Sequence, residues 1–113
     1  MTTHPVQPAG PSIERDNEGY LKNLSQWSES VAAQIAADEG IVLSDAHWEI
    51  INLLRDFYAE HDHSPAMRPF VKWVAQKAGP EKGNSLYLLK LFPESPAKRA
   101  SKIAGLPKPT NCL

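Results

Sequence analysis

Apolar side chains recur at helical spacing in five segments of the chain, and these segments are separated by polar or glycine- and proline-containing stretches. In the first segment, Trp27, Val31 and Ile35 recur every four residues, which places them on one face of a helix. Serine is a favoured N-terminal cap. We therefore predict a first helix from a cap at Ser25 to about Asp38.

The second segment has the broadest apolar face of the five. Ser44 can cap a helix there, and Asp45 suits the positive end of the helix dipole. Its apolar members are Trp48, Ile50, Ile51, Leu53, Leu54, Phe57 and Tyr58. We predict that this helix ends near Glu60 or His61 and forms the centre of the core.

The third and fourth helices are predicted to be shorter. The third runs from about Arg68 to Ala78, and its proline is tolerated because it falls in the first turn. Its inward stripe is predicted to be Phe70, Val71, Val74, Ala75 and Ala78. Trp73 lies off that stripe and is predicted to be either a second contact face or a partly exposed ring. The fourth begins after a cap at Asn84 and stops at Pro93. Its apolar residues are Leu86, Leu88, Leu89, Leu91 and Phe92.

The fifth helix is predicted from a cap at Ser95, with Pro96 in its first turn, through Ala104, and Gly105 ends it. Glycine takes the left-handed conformation that terminates helices without steric cost. Pro107 and Pro109 fix φ and remove two backbone donors, so residues 105–113 cannot continue the helix. We predict a flexible C-terminal arm that reaches roughly 25 Å when it is extended.

The N-terminal part carries a weaker pattern. Residues 1–12 contain three prolines and few apolar residues, which is typical of a disordered tail. Residues 13–22 place a turn-forming segment, 16–19, between short β-compatible flanks, which predicts a small hairpin. The predicted fold is therefore mainly α: a small bundle of about five helices spanning 13–104, with an N-terminal β-hairpin and the arm.

The net charge of −1 conceals an asymmetry between the two halves of the chain. Residues 1–64 hold three basic against eleven acidic side chains, and residues 65–113 hold nine against two, about −8 and +7. Separate acidic and basic faces would steer the protein toward an acidic partner. Interleaved charges would cancel, and the sequence leaves both alternatives open. No apolar run has membrane-spanning length and no signal peptide is indicated, so we expect a cytoplasmic protein.

The main candidate for chemistry is Cys112, the only cysteine, one residue from the C-terminus. The thiolate is the reactive form, and a nearby cation lowers the pKa of a thiol. Lys108, Lys102 and Arg99 can supply that cation if the arm folds back, whereas the adjacent Leu113 carboxylate raises the pKa. Composition alone favours an accidental terminal cysteine over a functional one.

Other constellations do not support a cofactor or metal. His61 and His63 flank Asp62, but this spacing matches no standard zinc pattern, so we predict solvated loop residues and no metal. His4 is predicted to be solvated as well. We find no catalytic triad, phosphate-binding loop or carboxylate pair, and we expect no cofactor.

Four segments together resemble the DsrC/TusE family of sulfur carriers. They are DNEGYL (16–21), GPEKGNS (79–85), KLFP (90–93) and, most specifically, SKIAGLPKPTNCL (101–113). The resemblance covers residues 13–113. Members of the DsrC type carry two cysteines in the arm, and Ser101 occupies the position of the earlier one. The disulfide and trisulfide states of those members are therefore unavailable within this chain, which makes it similar to the single-cysteine, TusE-like members. We assign the Ser101 hydroxyl no catalytic role and predict an ordinary helix residue.

The resemblance implies a sulfur-relay function, and it favours a functional Cys112 over an accidental terminal cysteine. Cys112 would accept a persulfide sulfur from an upstream, TusBCD-like donor complex and pass it to a tRNA 2-thiouridine synthase, so that the protein acts as a sulfurtransferase component. Candidate contacts to such a partner, or to tRNA, are Lys98, Arg99, Lys102 and Lys108.

Two alternatives stay open. One is a partner or regulator of dissimilatory sulfite reductase, which the resemblance to DsrC also implies. The other is a helix-turn-helix-like nucleic-acid-binding module formed by the third and fourth helices. The mainly leucine composition of the fourth helix, with Lys90 its only cation, argues against that module.

Overall fold

The chain forms a small helical bundle. The structure, a computed structural model, describes residues 13–110. Its helices are a 3-10 turn at Leu24–Gln26 and α1 (Glu29–Asp38), α2 (Asp45–His61), α3 (Met67–Ala78), α4 (Ser85–Leu91) and α5 (Pro96–Ile103). The prediction of a mainly α chain with about five helices is confirmed over this range. None of the helices in residues 13–110 combines the length and apolar character needed to span a bilayer.

The predicted N-terminal β-hairpin is wrong. Arg15 and Leu21 form one isolated antiparallel bridge, and no strand is present between residues 13 and 110. The Asp16 carboxylate accepts hydrogen bonds from the backbone amides of Glu18 and Tyr20 at 2.9 and 3.0 Å, which closes the turn. Successive strand residues point to opposite faces of a sheet, but Tyr20 and Leu21 are both buried against the helices. The segment at residues 13–22 therefore packs two consecutive side chains against the helices instead of extending as a strand.

The first helix starts later than predicted. Ser28 caps α1, since its Oγ accepts from the amide of Val31 at 3.1 Å. Ser25 lies instead in the 3-10 turn, where the side chain of Asn23 accepts from the amide of Ser25 at 3.0 Å. Trp27 between the two elements has an extended backbone, so its indole is not part of the α1 stripe.

The central helix is α5, whereas the sequence predicts α2 in that place. α5 packs against each of the other four helices. Its buried side chains are mostly small, among them Ala97, Ala100 and Ser101, and small side chains let neighbouring helices approach closely. α2 does contribute large buried residues, including Ile50, Ile51 and Leu54, but these form one wall of the core.

The structure decides which apolar residues of α3 and α4 are buried. Phe70 and Val74 of the predicted α3 stripe are buried, and Trp73 forms a second contact face, where its Nε1 donates to the carbonyl oxygen of Leu53 at 2.8 Å. On α4, Leu88 is fully buried, but Leu86 is 72% exposed and Leu89 is 38% exposed. A helix of seven residues presents one narrow face to the core, so not all of its apolar residues can be buried.

Candidate functional site at the base of the C-terminal arm

The arm does not leave the body at Gly105. Gly105 ends α5 with φ +77°, as predicted, but the next residues turn back onto the bundle. Leu106 is 3% exposed and its amide donates to the carbonyl oxygen of Ser101 at 2.9 Å. Pro109 is buried too. The chain from Pro109 to residue 112 spans at most about 10 Å, far less than the reach expected for a fully flexible arm.

The turn after α5 is held by an indole and a guanidinium. Trp27 Nε1 donates to the carbonyl oxygen of Ile103 at 2.9 Å, and Arg55 Nη1 donates to that of Ala104 at 2.7 Å. The Arg55 guanidinium carbon also lies 3.8 Å from the centroid of the Trp27 ring. Two of the last carbonyl groups of the α5 segment, which have no partner inside a helix, are satisfied in this way.

Burial lowers the pKa of Arg55 from its ordinary value, because it penalises the charged form. A guanidinium still carries its charge at neutral pH. That charge lies close to the negative end of the α5 dipole, where a cation is stabilising. Arg55 therefore supports the arm electrostatically as well as by its hydrogen bond.

Two contacts anchor the arm beyond Leu106. The buried hydroxyl of Ser64 donates to the carbonyl oxygen of Pro107 at 2.6 Å. The Lys108 ammonium binds the Glu18 carboxylate at 2.9 Å in an exposed ion pair. An exposed pair contributes on the order of 0–1 kcal/mol, so the Ser64 bond is the more dependable anchor.

The predicted thiol, Cys112, lies outside the described residues, as does the predicted tail at 1–12. The prediction that nearby cations activate that thiol therefore stays a prediction. The described residues show how the chain leading to Cys112 is positioned. Pro109, three positions before Cys112, is buried against the body.

The four predicted contact cations do not form one free basic surface. Lys102 and Arg99 both bind Glu39, at 2.9 and 3.2 Å, and Lys108 is paired as described above. Lys98 differs, since it makes no ion pair within residues 13–110. Charges from the acidic and basic halves thus interleave around α5. At this helix the structure favours interleaved charges over separate acidic and basic faces.

Ser101 is a structural position on α5. It is fully buried, and its Oγ has no hydrogen-bond partner among the described residues. Its carbonyl oxygen receives the amide of Leu106, so the residue connects the helix to the arm through its backbone. The sequence-based assignment of no catalytic role to Ser101 stays a prediction.

Replacing Ser101 by Ala is expected to raise the free energy of unfolding by about 1 kcal/mol. A buried hydroxyl without a partner carries a desolvation cost, and alanine is the better helix former. Chemical denaturation followed by tryptophan fluorescence measures the change. Ser64→Ala is the matched control and should lower the free energy by about 1 kcal/mol, because it removes a formed hydrogen bond. A loss of stability in Ser101→Ala would contradict the observation that the Ser101 hydroxyl has no hydrogen-bond partner among the described residues.

The histidines near residue 62 have packing roles. The His61 ring lies 4.4 Å from that of Phe57, and His63 Nδ1 donates to the carbonyl oxygen of His61 at 2.9 Å. Asp62 itself adopts a left-handed conformation at the end of α2. Within residues 13–110, no group of three or more potential metal-ligating side chains comes together.

Sequence reasoning missed Trp27, Arg55, Ser64 and Glu39 as residues of this site. Trp27 is 76 residues from its partner Ile103, Arg55 is 49 from Ala104, and Ser64 is 43 from Pro107. No local pattern links residues so far apart. The one available signal was Gly105, since a glycine after a helix also permits close approach of a large side chain.

Comparison with known proteins places this geometry among sulfur-handling proteins. The family model described as "DsrC like protein" matches residues 7–113. The chain is 61% identical to the sulfurtransferase TusE of Shigella dysenteriae and 60% identical to that of Escherichia coli K12. Each alignment covers 92% of this chain and 95% of the relative.

Solved structures are similar along most of their length. The NMR structure of DsrC from Allochromatium vinosum matches with a TM-score of 0.84 and 47% identity, over 96% of each chain. The oxidized γ-subunit of the dissimilatory sulfite reductase (DsrC) from Archaeoglobus fulgidus matches with a TM-score of 0.77 and 40% identity, over 89% of this chain and 92% of that one.

Proposed function

The chain belongs to the DsrC-like protein family, and from that premise we propose that it is a single-cysteine sulfur carrier whose reactive atom is the sulfur of Cys112. Its high identity to sulfurtransferases named TusE supports a sulfur-relay role. The observation that carries the proposal is the combination of a lone cysteine and a docked arm. Residues 105–109 lie against the body, and the only thiol of the sequence follows three positions later.

The proposed chemistry is two thiol exchanges without net oxidation. The Cys112 thiolate attacks the terminal sulfur of a donor persulfide, forms a new sulfur–sulfur bond and releases the donor thiolate. An acceptor thiolate then attacks the terminal sulfur of the Cys112 persulfide and releases the Cys112 thiolate. Each step transfers one sulfur and leaves the number of electrons unchanged, so a carrier of this kind requires no metal or redox cofactor.

The docked arm favours partners that come to the body of the carrier. Because Pro109 is held in place, Cys112 stays within about 10 Å of it. A partner pocket therefore has to approach the surface formed by the arm, the Ser64 loop and the turn at residues 16–19. We propose that an upstream persulfide donor complex and a tRNA 2-thiouridine synthase approach this surface in turn.

Sulfur transfer to purified partners tests the proposal. The chain is loaded with radiolabelled sulfur and incubated either with a tRNA 2-thiouridine synthase, ATP and tRNA, or with sulfite reductase. We expect label in 2-thiouridine from the wild type and none from Cys112→Ser. A loaded carrier that leaves the synthase unlabelled would contradict the role in tRNA thiolation while leaving the carrier role intact.

The second candidate is a partner of dissimilatory sulfite reductase. It is favoured by the similarity to a γ-subunit of that enzyme, DsrC from Archaeoglobus fulgidus. It is disfavoured by Ser101, because the two-sulfur states of the two-cysteine members cannot form within this chain. Label passing to sulfite reductase in the experiment above would support this candidate. The helix-turn-helix-like alternative is disfavoured, because α4 exposes Leu86 and Leu89 and offers Lys90 as its only cation.

A further inference from the structure

An open groove lies between α4 and the start of α5, and Lys98 is the only predicted partner contact among its lining residues. Its volume is about 390 Å³. Met67, Leu89, Pro96 and Ala97 give it apolar walls, and Glu94 and Lys98 are its charged lining residues. We refer to this surface as the α4–α5 groove.

Apolar surface continues outward from the groove along α4. Leu86 lies one turn before Leu89, and three-residue spacing places both on the same side of a helix. Their exposed fractions of 72% and 38% contrast with complete burial of Leu88 on the same helix. Exposed apolar side chains beside an apolar concavity are typical of a protein-binding surface.

The side chains around the groove carry an excess of positive charge. Glu94 is bound by Arg99 at 3.0 Å, so its charge is compensated. Lys98 in the groove and Lys90 on the exposed side of α4 make no ion pair within residues 13–110. Two uncompensated ammonium groups beside apolar surface favour a ligand that has both apolar and acidic groups.

The wall of the groove at Glu94 is conformationally strained. Glu94 has φ +74°, which a residue with a Cβ adopts only at a cost on the order of 1–3 kcal/mol. Two interactions hold Glu94 in this conformation. Its carboxylate pairs with Arg99, and the Ser95 amide donates to the Pro93 carbonyl oxygen at 2.9 Å, which closes the turn. Strain of this kind is maintained at binding surfaces more often than elsewhere.

We propose that the α4–α5 groove docks an amphipathic helix of a partner protein, with leucine-like residues entering the groove and acidic residues facing Lys90 and Lys98. A nucleic acid would use the two cations but would leave the exposed leucines in water. A second copy of this chain would bring the same two cations together, which is repulsive. The proposal does not depend on Cys112 or on the identity of the sulfur partners.

Binding of designed peptides tests the occupant. The acidic probe is a helical peptide with leucines along one face and glutamates on both flanks, and its matched control has lysines in place of the glutamates. We expect the full-length chain to bind the acidic probe roughly tenfold more tightly at low salt, since two exposed ion pairs contribute about 1.4 kcal/mol together. The preference should fall as salt is added.

Variants of the chain separate the two parts of the surface. Leu86→Ser/Leu89→Ser should lose both peptides, and Lys90→Glu/Lys98→Glu should reverse the preference. The controls are Val42→Ser, an apolar residue exposed elsewhere, and Lys22→Glu/Lys72→Glu, which should bind like the wild type. The leucine variant leaves the predicted partner contact Lys98 in place and should still accept a persulfide sulfur on Cys112, so its failure to bind peptide is distinct from failure of the carrier proposal.

Three results would overturn the docking proposal. The first is equal affinity for the acidic and basic peptides, or no binding of either. The second is binding of bulk tRNA that the lysine variant loses and the leucine variant keeps, which would assign the surface to nucleic acid. The third is a concentration-dependent dimer that the leucine variant abolishes in sedimentation, which would assign it to a second copy.

Discussion

Replacing Cys112 by Ser is expected to reduce persulfide loading from one sulfur per chain to none. Cys112 is the only thiol of the sequence, and a serine hydroxyl is not ionised at neutral pH and does not form a stable sulfur adduct. The measurement is intact mass after incubation with a persulfide donor, before and after treatment with a reducing agent. The added sulfur of the wild type should disappear on reduction.

Two controls make this result specific to the thiol. Ser64→Ala removes an anchor of the arm and Ser101→Ala removes a buried hydroxyl, but both retain Cys112 and should load to the same final extent as the wild type. Sulfur retained on the Cys112→Ser protein would contradict the carrier proposal. In cells, loss of loading with full retention of 2-thiouridine in tRNA would reject the role in tRNA thiolation alone.

Replacing Gly105 by Ala is expected to lower the free energy of unfolding by about 2–4 kcal/mol, the largest stability effect proposed for this chain. Two costs add. The φ of +77° is unfavourable for a residue with a Cβ. A Cβ at this position would also overlap the Trp27 ring and lie 2.8 Å from Trp27 Cβ, an atom that side-chain rotation cannot move away.

Gly40→Ala is the matched control for the second cost. Gly40 has nearly the same φ, +74°, but nothing lies within 4 Å of a Cβ built there. The control should lose only about 1–2 kcal/mol. Chemical denaturation of both variants gives the comparison, and equal losses would contradict the close packing of Trp27 on the arm. Tryptophan fluorescence of the folded Gly105→Ala protein should also change if the arm base is displaced.

Local sequence patterns predicted the helices that local interactions stabilise. Ser44 and Asn84 were expected as N-terminal caps, and both side chains accept from backbone amides of the first turn of their helices. Pro96 was expected in the first turn of the fifth helix and lies there. Capping and proline effects act over three or four residues, so they can be recognised without knowing the fold.

The sequence-based predictions were wrong where a local pattern was compatible with two structures. Asn23 and Ser28 both offer caps near the first helix, so the cap of α1 is Ser28, three residues after the expected Ser25. The segment around Asp16 has the composition of a hairpin turn. However, Tyr20 and Leu21 are consecutive and both buried, which a strand with alternating faces does not allow. Competing local preferences were decided by packing against distant helices.

The candidate site divides in the same way. The sequence was sufficient to single out Cys112 and the proline-containing arm, because a lone thiol in a specific terminal motif is visible in the chain itself. It also indicated which residues are basic. It did not indicate that Glu39 binds both Arg99 and Lys102, which removes those two cations from the free surface.

The sequence by itself determined the helical class, most helix ends and the position of its single cysteine, because helix class and ends depend on neighbours a few residues away. Only the tertiary structure decided that α5 lies at the centre, that residues 105–109 are docked through residues such as Trp27 and Ser64, and that Leu86 faces outward. Those outcomes depend on contacts between residues many positions apart, whose free energies exist only once the chain has folded and no local preference encodes them.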